Sequence, residues 1–83
     1  RGADVELTRQ EFELLALLAS RPGVVFSRAA LLQQVWPEDT FVTDRTVDAV
    51  MSRLRRKVER DPADPELLLT VWGVGYKFTD GDG

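Results

Sequence analysis

Between Thr43 and Pro62 the sequence reads as one helix with two separate faces, and this segment constrains the fold more than any other. At about 100° per residue, Val47, Val50, Met51, Leu54 and Val58 fall on a single apolar stripe, which the rest of the chain has to cover. Arg45, Thr46, Ala49, Ser52, Arg53, Arg56 and Arg60 fall on a second face that is basic, with the small Ala49 at its middle. Thr43 or Asp44 can cap the start, and Asp61-Pro62 sets the end. A chain of 83 residues with 43% hydrophobic and 30% charged side chains is expected to form one domain on one core. The helix must lie at the centre of that core.

The remaining elements are read outward from it. Val5-Glu6-Leu7 alternates over too short a run to be more than the end of a strand, the remnant of a sheet on the N-terminal side. Thr8-Arg9-Gln10-Glu11 has the spacing of a capping box and starts a first helix. Its apolar stripe is Phe12, Leu15, Ala16 and Ala19, widened by Leu14, Leu17 and Leu18, and Pro22-Gly23 ends it. Val24-Val25-Phe26 is an extended link. Ser27 caps a second helix whose apolar face holds Ala30, Leu31, Val35 and Trp36, with Pro37 as its stop. Residues 37–43 show no helical period and form an exposed loop. Leu67–Trp72 and Tyr76–Thr79 are β-prone segments around Gly73-Val74-Gly75, a C-terminal hairpin. Residues 80–83 are polar and terminal and should fray. The expected class is α+β: strand remnant, three helices, hairpin.

Composition removes whole classes of function. With no Cys and no His there is no disulfide framework, no thiolate or imidazole metal site and no Ser-His or Cys-His catalysis. No apolar run approaches the roughly 20 residues that span a bilayer. We therefore expect neither cofactor nor metal, no membrane contact and no enzyme activity. A carboxylate hydrolase built on Glu11, Asp44 and Asp48 lacks an evident cleft, because Asp44 reads as a cap and Asp48 lies on the basic helix.

The net charge of −3 hides an uneven distribution. Residues 1–44 hold 4 basic and 7 acidic side chains, residues 45–60 hold 6 and 2, and residues 61–83 hold 1 and 5. Within the third helix only Glu59 stands three or four positions from any of Arg53, Arg56, Lys57 and Arg60, so that face is expected to be mostly unpaired, although Arg55–Glu59 has the spacing of an i,i+4 pair. Unpaired guanidinium groups around a small residue allow close approach to DNA, with bonds to phosphates or to the O6/N7 edge of guanine. A basic helix followed by a hairpin is the layout in which a helix enters the major groove and a wing touches the backbone. By default Trp36 is a core residue, and Trp72 and Tyr76 pack on a sheet face; phosphate contacts from their N–H or O–H groups are the sharper reading. The rival reading, favoured by the acidic net charge, is a winged helix used as a protein-interaction module.

The motifs Leu7-Thr8-x-x-Glu11-x-x-Leu14-Leu15, Val25-x-Ser27-Arg28-x-x-Leu31, Val35-Trp36, Asp44-Arg45-Thr46-Val47-Asp48, Ser52-Arg53-Leu54-Arg55-Arg56-Lys57 and Thr70-Val71-Trp72-Gly73-Val74-Gly75-Tyr76 resemble the winged helix-turn-helix effector domain of OmpR/PhoB-type response regulators. The resemblance covers nearly all of residues 5–79. It implies sequence-specific binding of double-stranded DNA for transcriptional regulation in the cytoplasm, with the third helix in the major groove and the hairpin as wing. Residues 1–83 would be the effector part of a longer protein, with an upstream receiver domain phosphorylated under a cognate histidine kinase.

By the same resemblance, Trp36, Arg45, Thr46, Ser52, Arg55, Thr70 and Tyr76 match backbone-contacting or orienting positions, and Arg53 matches the base-reading position. Val50 would make an apolar base contact, for example to a thymine methyl. Trp72 stands on the wing where part of the family carries Arg and another branch carries Trp. The loop with Glu38, Asp39, Thr40 and Phe41 would contact RNA polymerase, and two copies would bind a direct repeat head to tail.

Overall fold

A capping box opens the first helix. In the computed structural model, which describes residues 5–39 and 41–81, the Thr8 hydroxyl accepts from Glu11 N at 3.2 Å and Glu11 Oε1 accepts from Thr8 N at 3.0 Å. Helix α1 (Arg9–Ser20) follows, then strand β1 (Phe26–Ser27), helix α2 (Arg28–Val35), helix α3 (Asp44–Val58) and strands β2 (Leu68–Val71) and β3 (Gly75–Phe78). The strands form one antiparallel sheet in the order β1-β3-β2, with Tyr76 of β3 opposite both Phe26 and Thr70.

The core lies where the three helices meet this sheet. Leu14 and Leu18 of α1, Leu31 of α2, Met51 and Leu54 of α3 and Leu68 of β2 are fully buried. The α3 stripe is as expected, with Val47 and Val50 buried beside them and Val58 packed at its end. Ser27 caps α2 by accepting from Ala30 N at 3.0 Å, and that helix ends at Val35, with Trp36 as its C-cap before Pro37.

Three expectations are corrected. The strand at Val5–Leu7 does not form: those residues are in no strand, and the third strand of the sheet is instead Phe26–Ser27, the last residue of the expected link and the expected cap of the second helix. On α1 the inward side is Glu11, Leu14 and Leu18, while Phe12 is 60% exposed and Ala16 faces outward. Leucines occur all round this helix, so its periodicity has no single phase and the tertiary contacts select one. Helix α3 ends at Val58, before Asp61-Pro62.

Glu59, the C-cap of α3, explains that early end. Its buried carboxylate accepts from the backbone N–H groups of Glu66 at 2.9 Å, Leu67 at 3.0 and 3.2 Å, and Leu68 at 2.8 Å. A charged acceptor thus satisfies three donors where the chain enters β2. Glu59 is therefore a connector between α3 and the hairpin, and Arg55 bonds elsewhere.

Gly75 is required by packing. A Cβ there would collide with the Phe26 carbonyl of β1, so β3 can lie against β1 only with glycine at this position. Gly73, at φ +81°, makes the hairpin turn. At the C-terminus Gly81 N donates to Thr79 Oγ1 at 3.3 Å; the rest of the segment expected to fray, residues 82–83, lies outside the described residues.

Candidate nucleic-acid interface

Helix α3 is preceded by its N-cap Thr43, whose N–H donates to Thr46 Oγ1 at 3.2 Å and whose carbonyl accepts from Thr46 N at 2.8 Å. From there the stripe opposite the core turns outward. Arg45, Ala49, Ser52, Arg53, Arg56 and Arg60 are all exposed, while Thr46 is half-buried at the edge. Arg56 Nη1 lies 3.4 Å from Ser52 Oγ, one helical turn away. Arg45, Arg56 and Arg60 form no ion pair among the described residues.

Arg53 and Lys57 depart from the unpaired face expected of the sequence. Lys57 Nζ donates to Glu11 Oε1 at 2.6 Å and to the Glu6 carbonyl at 3.0 Å, and Arg53 Nε lies 3.4 Å from Glu11 Oε2. The Glu11 side chain is only 1% exposed. Its carboxyl is held below the ordinary carboxylate range, first by the Lys57 hydrogen bond and then by the Thr8 amide, against an opposing push from burial. The partners are 42 and 46 residues apart in the chain, so spacing along the helix cannot reveal them.

The opposite edge of α3 carries the hairpin. Arg55 donates from Nε and Nη2 to the Leu68 carbonyl at 3.1 and 2.8 Å and from Nη2 to Thr70 Oγ1 at 2.9 Å, and its Cζ lies 5.6 Å from the centre of the Tyr76 ring. Tyr76 OH donates to Asp48 Oδ1 at 2.6 Å, and Arg28 Nε forms an ion pair with the same carboxylate oxygen at 3.0 Å. Arg28 Nη1 also stands 4.0 Å from Asp44. Burial, then the bond to Asp48, pushes the Tyr76 phenol above its ordinary value. This network ties the start of α2, the wing-side edge of α3 and β3 into one frame.

The hairpin tip beyond this frame is open. Trp72 is 88% exposed, and between the tip and the N-terminal ends of α2 and α3 lies a hollow of about 330 Å³ bordered by Ser27, Arg28, Asp44, Thr70, Trp72 and Tyr76. Trp72 therefore does not pack on the sheet face, its default reading. In the α2–α3 loop Asp39 Oδ1 accepts from Phe41 N at 2.9 Å, and Glu38, Asp39 and Phe41 are exposed; Thr40 lies outside the described residues.

The residues singled out by sequence thus divide into two sets. Arg45, Ala49, Ser52, Arg53 and Arg56 on α3 and Trp72 on the wing are exposed. Arg55, Thr70 and Tyr76 are engaged inside the molecule, and Trp36 is half-buried against the core. Val50 is 3% exposed, so its assignment as a base contact is wrong: the stripe period that put it in the core prevails. Arg28 lies in the Ser27-Arg28 motif, where nothing local marks it as a site residue. Its partner Asp48 is 20 residues distant and no local pattern announces the pair.

Comparison with known proteins places this arrangement. Residues 2–78 match the family described as transcriptional regulatory protein, C terminal. Among solved structures, the response regulator DrrB of Thermotoga maritima, an OmpR/PhoB homologue, is 45% identical with a TM-score of 0.84, over 90% of this chain and 34% of that one. The present chain therefore spans about a third of DrrB. The DNA-binding domain of CssR from Bacillus subtilis is 42% identical, with a TM-score of 0.76 over 90% of this chain and 80% of that one. The DNA-binding domain of RstA from Klebsiella pneumoniae, solved in complex with the RstA box, is 35% identical, with a TM-score of 0.81 over 94% and 77% of the two chains. The fold, the exposed basic helix and the family match agree: the chain belongs to the transcriptional regulatory protein C-terminal family and is a winged-helix DNA-binding domain of the OmpR/PhoB response-regulator type.

Proposed function

We propose that α3 lies in the major groove of double-stranded DNA, with Arg53 reading a base edge and Arg45, Ser52 and Arg56 bonding phosphates. The observation that carries this reading is the open basic face of α3, with Ala49 at its middle and the exposed Trp72 at the wing tip. Ala49 admits the close approach a groove demands, and guanidinium groups suit both phosphate and guanine. Thr46, Arg55, Thr70 and Tyr76 set the wing and the start of α3 rather than reach DNA themselves. Trp36 supports the end of α2 from its half-buried site, and Trp72 meets the backbone or the minor groove.

In its parent protein the domain is the output of a phosphorylation-controlled regulator, with an upstream receiver domain and a histidine kinase. It pairs head to tail on a direct repeat and presents residues 37–43, with exposed Glu38, Asp39 and Phe41, to RNA polymerase. A cytoplasmic location and the absence of catalysis belong to the same reading. The test is selection from a random duplex pool at two salt concentrations, with Arg53→Ala as control. The expected result is an enriched, repeated motif that the variant loses, with affinity falling steeply as salt rises. No enrichment by a folded domain overturns it.

A further inference from the structure

The buried Glu11 carboxylate divides its two oxygens between unlike tasks. Oε1 takes the short bond from Lys57 Nζ and the cap bond from Thr8 N, at 2.6 and 3.0 Å. Among the described residues, Oε2 faces Arg53 Nε alone, at 3.4 Å. The Arg53 side chain is 49% exposed, and its two terminal nitrogens make no hydrogen bond among the described residues. A guanidinium is planar, so a partner on Nε fixes the plane and leaves the terminal edge free.

We propose that Glu11 is a positioning residue for base reading: it fixes the guanidinium plane of Arg53 so that the terminal nitrogens face a guanine edge. This rests on the reading of Arg53 as the base contact. Three features suit Glu11 to the task. It is buried and anchored on the first turn of α1, so it cannot follow the arginine outward. Lys57 neutralises its charge, which limits repulsion of the nearby phosphates. The long Nε contact is weak enough to adjust as the groove is entered, while still narrowing the rotamers an unbound arginine would sample. Preorganisation of this kind sharpens discrimination between bases more than total affinity.

The test compares this chain with Glu11→Gln, Arg53→Ala, the double variant and Lys57→Met on two duplexes, the selected one and one altered at the base Arg53 reads. Glutamine retains an acceptor for Thr8 N, so the cap of α1 survives the change. The quantity measured is the ratio of the two Kd values. Arg53→Ala is expected to abolish the ratio. Glu11→Gln should reduce it about three- to tenfold, part of the roughly 5- to 150-fold a bidentate arginine supplies. In the Arg53→Ala background Glu11→Gln should change nothing further. Lys57→Met disturbs the same carboxylate but leaves its bond to Arg53, so it should weaken both duplexes alike and keep the ratio.

The proposal is overturned if Glu11→Gln keeps the wild-type ratio, or if Lys57→Met lowers it as far, since either result reduces Glu11 to a structural role. If Arg53→Ala itself leaves every base preference intact, the reading of Arg53 fails and takes the proposal with it. Should Glu11→Gln not fold, NMR of the unaltered chain decides. Arg53 Nε–H should stay protected from solvent exchange when the duplex binds, and loss of protection overturns the proposal.

Discussion

Arg53 and Arg55 stand two positions apart on α3, yet at about 100° per residue they point roughly 200° apart, to opposite edges of the exposed face. Arg55 spends its donors on neutral acceptors, the Leu68 carbonyl and the Thr70 hydroxyl, and lies against the Tyr76 ring. Arg53 has one long contact to a buried carboxylate and leaves its terminal edge in solvent. The wing-side arginine is a clamp and the α1-side arginine a held probe. Residue type alone does not assign a role on this helix; the angle at which the side chain leaves the axis does.

The sharpest way to break the comparison is to remove the clamp. Arg55→Ala strips the partner from the partly buried Leu68 carbonyl and from Thr70, and frees the hairpin from α3. The expected cost is about 2–3 kcal/mol in urea unfolding, the range for hydrogen bonds to a charged group. Hydrogen exchange should quicken in β2 and β3 more than in α1. Arg53→Ala, by contrast, should fall within about 0.5–1 kcal/mol of wild type, because its contact is long and half exposed. Similar costs at the two positions would remove the distinction.

On the α1 side the expected effect is smaller and depends on pH. Glu11→Gln should cost about 1–2 kcal/mol at neutral pH, the loss of a charge-assisted bond to a partly exposed lysine. The folded-state pKa of Glu11 lies below its ordinary value of 4.5, so its contribution is fully present above that value. It disappears as pH falls through the lower, folded-state value. Thermal melts of wild type and variant should therefore differ above pH 5 and converge as the solution is acidified further. A gap that stays constant with pH would mean that the charge on Glu11 contributes nothing to stability and that the difference between the two side chains has another origin.

These two edges also show what the sequence could and could not disclose. The capping box at Thr8 and the apolar stripe of α3 are legible because their partners lie within a turn of one another. Glu11 was legible only as a cap; its bonds to Arg53 and Lys57 join residues more than 40 positions apart. Arg28–Asp48 and Glu59 with the amides of 66–68 are invisible for the same reason, since a helical period reports only near neighbours. Gly75 looks like a turn residue by its setting beside Gly73 and proves to be a packing requirement against β1. The resemblance assigned Val50 to DNA, whereas the stripe period had already put it in the core. Where a local rule and a transferred role conflicted, the local rule held.

Tyr76→Phe tests whether the wing side is one network or a set of separate contacts. The phenylalanine keeps the ring beneath Arg55 and removes only the donor to Asp48. Arg28 remains on that carboxylate at 3.0 Å, so Asp48 is not left bare. The expected loss is about 0.5–1.5 kcal/mol, the worth of one hydrogen bond, by urea unfolding. A double cycle with Arg28→Ala should show coupling, because the second removal takes away the ion pair after the hydrogen bond has gone. Strict additivity would separate the two contacts.

The smallest stability effect is expected at the wing tip, where the functional effect should be out of proportion to it. Trp72 is 88% exposed and sits at the turn rather than in the core, so Trp72→Ala should change unfolding free energy by less than about 0.5 kcal/mol. A large apolar ring held in water on a clamped hairpin has no role in folding that its removal would reveal. If it meets DNA, its loss weakens binding with little change in the salt slope, since no charge is removed. Arg45→Ala should do the reverse, lowering that slope while weakening all sequences alike. Measuring both variants across a salt series separates an apolar wing contact from a phosphate contact on α3. A Trp72→Ala chain that binds as tightly as wild type would confine recognition to α3 and leave the Arg55 clamp to serve stability alone.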